Sequence, residues 1–215
     1  MLIPNTTLQL REHLSPESAP LVLASKEKLD SFLATAAMTS LNLIGNHQTP
    51  YGEHWLNQST EGLPVMLERL KGKMVVDLGA GASTKFRERL AQEGVAGYIG
   101  VDYIGHAEDV APLTIEKDGV DGAILGVDML EAVDKLPDAS CSFAINGIDS
   151  LIVRPDTPYA QELVRQIDRV TAVDGYILGN TLFGGILEAF SGRDGYETEE
   201  VNMHGMKFIS HHKVN

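Results

Sequence analysis

The residues best suited to chemistry are aspartates that follow short apolar runs. Asp77 comes directly after the run at residues 74–76 and two positions before the first glycine of Gly79-Ala80-Gly81. A strand that ends in a glycine turn and opens a helix lets a ligand approach the backbone, and the helix N-terminus offers free N–H groups. A carboxylate at Asp77 repels a dinucleotide pyrophosphate and attracts an ammonium or sulfonium group. The alternative is a carboxylate that only caps the turn.

A second aspartate, Asp102, stands directly after the predicted strand at residues 98–101 and about 20 positions past Gly81. A carboxylate at the tip of the second strand accepts both hydrogen bonds of a ribose diol. Tyr103 follows, and we expect its ring to cover one face of an adenine. Many aspartates at strand ends are only turn residues, but the place of Asp102 after a glycine turn favours ribose binding.

The third aspartate, Asp128, follows a predicted strand at residues 124–127. A carboxylate there accepts from an adenine amino group, while the neighbouring Met129 packs on the ring face. In isolation this position is ambiguous, because aspartates are common where strands end. Together, the carboxylates at the tips of successive strands predict a site for a positively charged adenosyl compound.

Composition limits the partners of the chain. Its 215 residues suit one domain with an appendage. The net charge of −13, without a run of Lys or Arg, repels phosphate backbones and makes nucleic acid a disfavoured partner. No apolar segment reaches the roughly 18 residues of a membrane span, and no basic leader is present, so we expect a cytoplasmic location without membrane contact. The single cysteine, Cys141, lies in an apolar stretch and is predicted to be a buried, unreactive thiol.

Alternating apolar runs and helical segments must position the aspartates. From Lys73 onward this alternation predicts a doubly wound, mostly parallel α/β sheet of seven strands. The last two strands are separated only by Gly205 and its neighbours, which is too short for a helical crossover, so we expect a C-terminal antiparallel hairpin. The predicted strands lie near residues 74–76, 98–101, 124–127, 142–145, 176–178, 197–203 and 207–211.

Helical patterns flank and interrupt the predicted sheet. Residues 1–65 are predicted to form an N-terminal helical cap ahead of a donor-binding domain at residues 66–215. Within the cap, Ser25 is expected to be the N-cap of a helix with apolar positions 29, 32, 33 and 36 on one face. The clearest helix begins at Thr157 as N-cap and Pro158 at the first helical position, with positions 159, 163, 167 and 170 on one face.

The order of these motifs resembles that of the class I S-adenosylmethionine-dependent methyltransferases. The resemblance covers about residues 73–180, with a hairpin expected afterwards. It is carried by Asp77-x-Gly79-x-Gly81, Asp102 after the second strand, Asp128-Met129 after the third, residues 136–143 leading into the fourth, and Asp174-Gly175 before the fifth.

The resemblance implies a Rossmann-like fold, S-adenosyl-L-methionine as the methyl donor, and a role for each matching residue. Asp77 with the turn at Gly79, Ala80 and Gly81 would hold the methionine part, and Asp102 the ribose hydroxyls. Asp128 with Met129 would hold the adenine, beside Tyr103. Asn146, at the tip of the fourth strand, would lie near the donor methyl group.

The chain departs from the family pattern at a few positions. Ser83 stands where the family often has a third glycine, and a residue as small as serine should be tolerated there. Ala144 stands where the family often has an aspartate. Asn146-Gly147-Ile148-Asp149 is not the Asn/Asp-Pro-Pro-aromatic signature of enzymes that methylate exocyclic or amide nitrogens. The missing signature disfavours such nitrogen acceptors, and we expect the acceptor to be a small molecule.

Methyl transfer from a sulfonium needs little from the protein, because aligning the acceptor with the methyl group supplies most of the acceleration. A general base is needed only where the acceptor holds its proton firmly. The candidate bases are Asp149 and His106. On the substrate side, Tyr51, His54 and Trp55 are candidates to close the pocket. No metal site is predicted, since His211 and His212 point to opposite faces of a strand.

Other interpretations remain open at this stage. A binding or scaffold protein with the same fold but no catalysis is one, since an obvious base is lacking. An aminopropyl transferase that uses a decarboxylated donor is another, because it shares the fold and suits an acidic pocket. A nicotinamide-dependent oxidoreductase is disfavoured by Asp77 and by Thr84, which stands where the dinucleotide fingerprint has a glycine.

Overall fold

A computed structural model describes residues 10–39, 63–79, 85–101, 113–114, 122–125, 127–145, 156–180, 185–203 and 206–215. The helices of this part of the chain are α1 (Ser18–Thr39), α2 (Leu63–Glu68), α3 (Lys85–Glu93), α4 (Met129–Lys135), α5 (Pro158–Val170) and α6 (Gly185–Glu188). The strands are β1 (Met74–Leu78), β2 (Gly97–Val101), β3 (Leu113–Thr114), β4 (Gly122–Leu125), β5 (Ser142–Ile145), β6 (Tyr176–Asn180), β7 (Tyr196–Met203) and β8 (Met206–Lys213).

The strands form one mixed sheet in the order β3-β4-β2-β1-β5-β6-β8-β7. The central strands from β4 to β6 are parallel, whereas β8 runs antiparallel to both β6 and β7. The fold is therefore α/β with a largely parallel sheet. Sequence patterns predicted seven strands, and the described residues form eight. The additional strand is β3, which pairs antiparallel with β4 over only two residues, too few to produce a readable pattern.

Both faces of the parallel strands are covered, which explains why these strands read as continuous apolar runs. On one face, Val76 and Phe143 pack in a cluster with Leu130 of α4 and Leu163 of α5. On the other face, Val75 and Tyr98 pack with residues of α2 and α3, namely Met66, Leu67 and Leu90. The single thiol, Cys141, lies in the first cluster and is almost fully buried, and burial raises its pKa to about 11. That environment agrees with an unreactive thiol.

Helix α5 begins where its sequence predicted. Thr157 is the N-cap, and its hydroxyl accepts from the backbone N–H of Ala160 at 3.2 Å. Pro158 occupies the first turn, where its missing N–H costs nothing. The predicted inner face is buried: Tyr159, Leu163, Ile167 and Val170.

Helix α1 begins earlier than its sequence suggested, so the prediction that Ser25 is its N-cap is wrong. Ser15 is the cap, because its hydroxyl accepts from the N–H of Ser18 at 3.2 Å and its carbonyl accepts from the N–H of Ala19 at 3.0 Å. Pro16 follows Ser15 as Pro158 follows Thr157. Ser25 lies within α1, and its hydroxyl is free to bond outside the helix.

The first half of α1 packs along α4 and α5. Val22 belongs to the core of the sheet face that these helices cover. Ser18 donates to Asp134, near the C-terminus of α4, and Lys26 pairs with Glu131 at 2.5 Å nearer its N-terminus. Helix α1 therefore runs antiparallel to α4 and toward the edge of the sheet at which the parallel strands end. Within the described ranges, no helix combines the length and apolarity needed to span a bilayer.

Candidate functional site

The parallel strands bring the predicted site residues to one edge of the sheet. β1, β2 and β4 are neighbours in the order β4-β2-β1, and paired registers run from their first to their last residues. Their carboxyl ends therefore share an edge. The strand order reverses between β1 and β5, and ligands of open α/β sheets bind outside the strand ends at such a point.

Asp77 lies inside β1 and not in the turn after it, so the strand extends beyond the predicted residues 74–76. Its side chain is only 1% exposed. The hydroxyl of Tyr98 on β2 donates to Asp77 Oδ2 at 2.7 Å. The register places Gly100 and Ala144 on either side of Asp77, so both in-register neighbours are small. Asp77 is thus a buried carboxylate, one residue before the end of a central strand, and the hydroxyl of Tyr98 lies beside it.

The turn after β1 has the backbone conformation that only glycine adopts readily. Gly79 has φ of 83°, in the left-handed region, and its N–H donates to the carbonyl of Val101 at 2.8 Å. This bond ties the start of the turn to the end of β2. The backbone is therefore bare of side chains at the position where the sequence predicted close approach by a ligand.

Asp128 is the N-cap of α4, a role that the sequence analysis missed. It is 4% exposed. Its Oδ1 accepts from the N–H of Leu130 at 2.9 Å and from the hydroxyl of Tyr159 at 2.8 Å. Its Oδ2 accepts from the hydroxyl of Ser25 at 2.7 Å. Three helices therefore meet at one carboxylate.

A signal for this cap is present in the sequence. Asp128 is followed three positions later by Glu131, the spacing of a capping box. Burial, followed by the nearby charge of Asp128, raises the pKa of the Tyr159 hydroxyl well above its ordinary value. Tyr159 therefore stays protonated and donates to Asp128 throughout the physiological range.

The contacts of Asp128 restrict how it could bind a ligand. A carboxylate oxygen offers about two lone pairs, so the two short bonds to Oδ1 fill that oxygen. Oδ2 keeps one lone pair beside Ser25. Met129, the first residue of α4, follows Asp128 in the chain and is partly exposed. Asp128 can therefore accept a hydrogen bond from an adenine amino group only through Oδ2.

The other predicted site residues lie outside the described parts of the chain, and their roles stay predictions. Those expected around the donor are Ala80, Gly81, Asp102, Tyr103 and Asn146. The candidate bases are Asp149 and His106, and the candidates on the substrate side are Tyr51, His54 and Trp55.

Several solved structures are similar to this chain. A SAM-dependent methyltransferase from Aquifex aeolicus is similar with a TM-score of 0.50 and 15% identity, over 71% of this chain and 88% of that chain. A protein from Corynebacterium glutamicum is similar with a TM-score of 0.48 and 8% identity, over 87% of this chain and 98% of that chain. A spermidine synthase from Thermotoga maritima is similar with a TM-score of 0.46 and 14% identity, over 68% of this chain and 56% of that chain. No protein-family model and no curated protein matches the sequence. The fold is that of the class I S-adenosylmethionine-dependent methyltransferases.

Proposed function

We propose that this protein is an S-adenosyl-L-methionine-dependent methyltransferase that acts on a small-molecule acceptor by direct in-line transfer. The observation that carries the proposal is the arrangement of Asp77 and Gly79. A buried carboxylate lies one residue before the end of a central parallel strand, and a left-handed glycine follows two residues after it. Such a site offers negative charge and bare backbone together, which suits a cationic amino-acid group better than a phosphate.

The donor fits the residues around this edge. Asp77 lies between two small in-register neighbours, Gly100 and Ala144, and the hydroxyl of Tyr98 contacts its Oδ2. At the start of α4, the remaining lone pair of Asp128 Oδ2 is proposed to accept from the adenine amino group. Asp102, the next residue after β2 in the sequence, is proposed to hold the ribose. Donor binding supplies the activated sulfonium methyl group.

The chain's own contribution to the reaction is proposed to be alignment of the acceptor and exclusion of water. We expect Asn146 to lie near the methyl group. Asp149 and His106 are the candidates to remove a proton from the acceptor, and Tyr51, His54 and Trp55 are the candidates to close the pocket. The net charge of −13 supports a small acceptor over a nucleic acid.

The division of the chain is part of the same proposal. Residues 66–215 are proposed to bind the donor, and residues 1–65 to act as a helical cap on the substrate side. The direction of α1 supports this, because the helix passes Asp128 and continues toward the edge at which the parallel strands end. We propose a cytoplasmic location, in keeping with the expected donor.

Calorimetric titration tests the proposal. S-Adenosylhomocysteine, the product form of the donor, should bind the purified protein at one site, and NADH should not bind. If S-adenosylhomocysteine and S-adenosylmethionine both fail to bind, the proposed function is wrong. If decarboxylated S-adenosylmethionine binds more tightly than the intact donor, aminopropyl transfer replaces methyl transfer. Binding without turnover across a broad panel of small acceptors favours the scaffold interpretation.

A further inference from the structure

We propose that a cavity between α5 and the segment that begins with α6 binds a small carboxylate whose apolar body is the size of a single ring. This α5–α6 cavity has a volume of about 240 Å³. Its lining residues are Gln161, Val164, Gly185, Ile186, Ala189 and Arg193. None of them belongs to the proposed donor site, so the inference does not depend on the proposed function.

Two neighbouring segments form the walls of the cavity. Gln161 and Val164 are three residues apart and Asp168 follows four residues later, so all three share one face of α5. The opposite wall is α6 and the turns that follow it up to Arg193. The Nη2 atom of Arg193 pairs with Oδ2 of Asp168 at 2.6 Å. This ion pair joins the two walls beside the cavity, so the cavity is formed before a ligand arrives.

The cavity leads from the surface to the apolar core. Gln161 and Ala189 are exposed and Val164 is partly buried, whereas Ile186 is only 4% exposed. Apolar surface from Val164, Ile186 and Ala189 lets a hydrocarbon group leave water when it enters. Sites for drug-sized ligands have volumes of roughly 300–1,000 Å³, so this smaller cavity suits a body of about one ring.

Arg193 sets the sign of the charge that the cavity favours. Lys213 also pairs with Asp168, at 3.2 Å, so two cations share one carboxylate and one positive charge among these three groups is not neutralised by the others. Phe190 holds the guanidinium from another side, with 5.7 Å between Arg193 Cζ and the ring centre. Within the described residues, the side-chain hydrogen bonds of Arg193 use Nη2 alone, which leaves Nε and Nη1 to donate to a ligand carboxylate.

The rest of the lining is compatible with an anion. None of the six lining residues is acidic. Gln161 contributes a side-chain amide, which can donate to a carboxylate without changing the charge of the site. A carboxylate that enters therefore meets one cation, one amide and apolar surface. The net charge of the whole chain is −13, so this preference for an anion is a local property of the cavity.

Two probes of nearly the same shape separate charge from fit. Phenylacetate carries the carboxylate, and phenylacetamide is its neutral counterpart. In NMR titrations of the full chain, we expect phenylacetate to bind with a Kd of about 1 mM, as suits a ligand of this size. Phenylacetamide should bind about 10-fold more weakly, because a hydrogen bond between two charged groups is stronger than one with a single charge.

The chain offers a matched control for Arg193. Arg193 and Arg165 each pair through Nη2 with an acidic side chain at 2.6 Å, but Arg165 does not line the cavity. Arg193→Met should reduce the preference for phenylacetate to within about 2-fold, whereas Arg165→Met should keep the full preference. Ala189→Trp fills the cavity with a large side chain and should weaken binding of both probes by at least about 10-fold.

Absence of phenylacetate binding, equal affinity of the wild type for both probes, or equal effects of the two arginine replacements overturns the inference. Binding that persists unchanged in Ala189→Trp places the probe elsewhere and also overturns it. If Arg193→Met or Ala189→Trp does not fold, Gln161→Glu replaces it, because this exposed helical position adds a negative charge to the lining. That variant must weaken phenylacetate by about 10-fold and phenylacetamide by less than about 2-fold; any other pattern counts against the inference.

Discussion

Asp77 and Asp128 stand at the same edge of the sheet, and the protein holds them in different ways. Asp77 lies one residue before the end of a central strand and accepts a hydrogen bond from the hydroxyl of Tyr98 on the next strand. Asp128 caps α4 and also accepts hydrogen bonds from the hydroxyl groups of Ser25 on α1 and Tyr159 on α5. The first carboxylate is held within the sheet, and the second joins three helices.

The difference shows that two aspartates at similar positions in a motif can contribute differently, one mainly to the stability of the fold and the other to the proposed ligand binding. The contacts of Asp128 connect α1, α4 and α5, so its removal disturbs the fold itself. The bond from Tyr98 to Asp77 joins two strands that the backbone ladder already connects. Because Asp77 is proposed to bind the donor, we expect its replacement to weaken ligand binding. Stability measurements and binding measurements should therefore separate the two aspartates.

Replacing Asp128 should produce the larger change in stability. We expect Asp128→Ala to lower the free energy of unfolding by about 3 kcal/mol, because it removes an N-cap and leaves two hydroxyl groups without their acceptor. Chemical denaturation measures this. Asp138→Ala is the control, since Asp138 is 65% exposed and its surface ion pairs with Arg11 and Arg169 contribute at most about 1 kcal/mol. Equal losses for the two variants would contradict the junction described for Asp128.

Replacing Asp77 should mainly weaken binding. Asp77→Asn keeps the size of the side chain and an acceptor for Tyr98 but removes the charge. We expect the Kd for S-adenosylhomocysteine to rise by about 30-fold, equivalent to about 2 kcal/mol, while the free energy of unfolding changes by less than about 1 kcal/mol. Titration calorimetry and denaturation on the same samples test this. A large loss of stability with unchanged affinity would mean that Asp77, like Asp128, serves the fold and not the ligand.

Acid sensitivity should come from a third region, the antiparallel end of the sheet. His211 on β8 is fully buried, and burial lowers its pKa from 6.5 to about 4, against smaller opposing effects of the Leu187 backbone and Glu200. The folded state therefore binds fewer protons than the unfolded state between these values. The stability that the neutral His211 contributes should be present above pH 6.5 and be lost as the pH decreases toward 4. We expect the free energy of unfolding to fall by about 1.5 kcal/mol between pH 8 and pH 5.5.

His211→Gln checks this assignment, because glutamine does not titrate. The variant should lack the loss between pH 8 and pH 5.5, whatever its overall stability. Burial raises the pKa values of Glu131, Glu162 and Asp168. Hydrogen bonds and nearby cations together lower these pKa values by a larger amount, so each pKa lies below its ordinary value. Their contribution is lost only at lower pH, outside this window. An identical pH dependence in wild type and variant would show that His211 is not the cause.

The smallest effect is expected for Ser25. Ser25→Ala removes one of the groups that donate to Asp128 and leaves the N-cap and the Tyr159 contact intact. We expect a loss of about 1 kcal/mol in the free energy of unfolding, roughly a third of the effect of Asp128→Ala. A loss as large as that of Asp128→Ala would mean that α1, and not the cap of α4, supplies most of the energy at this junction.

Much of the fold could be predicted from local pattern. Thr157-Pro158 predicted the start of α5, and the apolar run at residues 142–145 predicted β5 with its observed bounds. The same Ser/Thr-Pro signature occurs at Ser15-Pro16, but the helical pattern favoured Ser25, whose hydroxyl bonds another helix. Strand β3 could not be predicted, because two residues carry no period.

The site was less accessible to sequence analysis than the fold. The spacing of Asp77, Gly79 and Asp128 indicated the edge at which they lie, but not what holds them. The bond from Tyr98 to Asp77 depends on the register of two strands, and the bond from Ser25 to Asp128 joins residues 103 positions apart in the chain. Such contacts arise only once the sheet is assembled, and no linear motif records them.

A crystal structure of the protein with S-adenosylhomocysteine tests the central claim most directly. We predict that the amino-acid end of the ligand lies beside Asp77 and Gly79, and that the adenine amino group lies within hydrogen-bond distance of Asp128 Oδ2. A ligand bound elsewhere, or bound at this edge with neither carboxylate in contact, would contradict the claim.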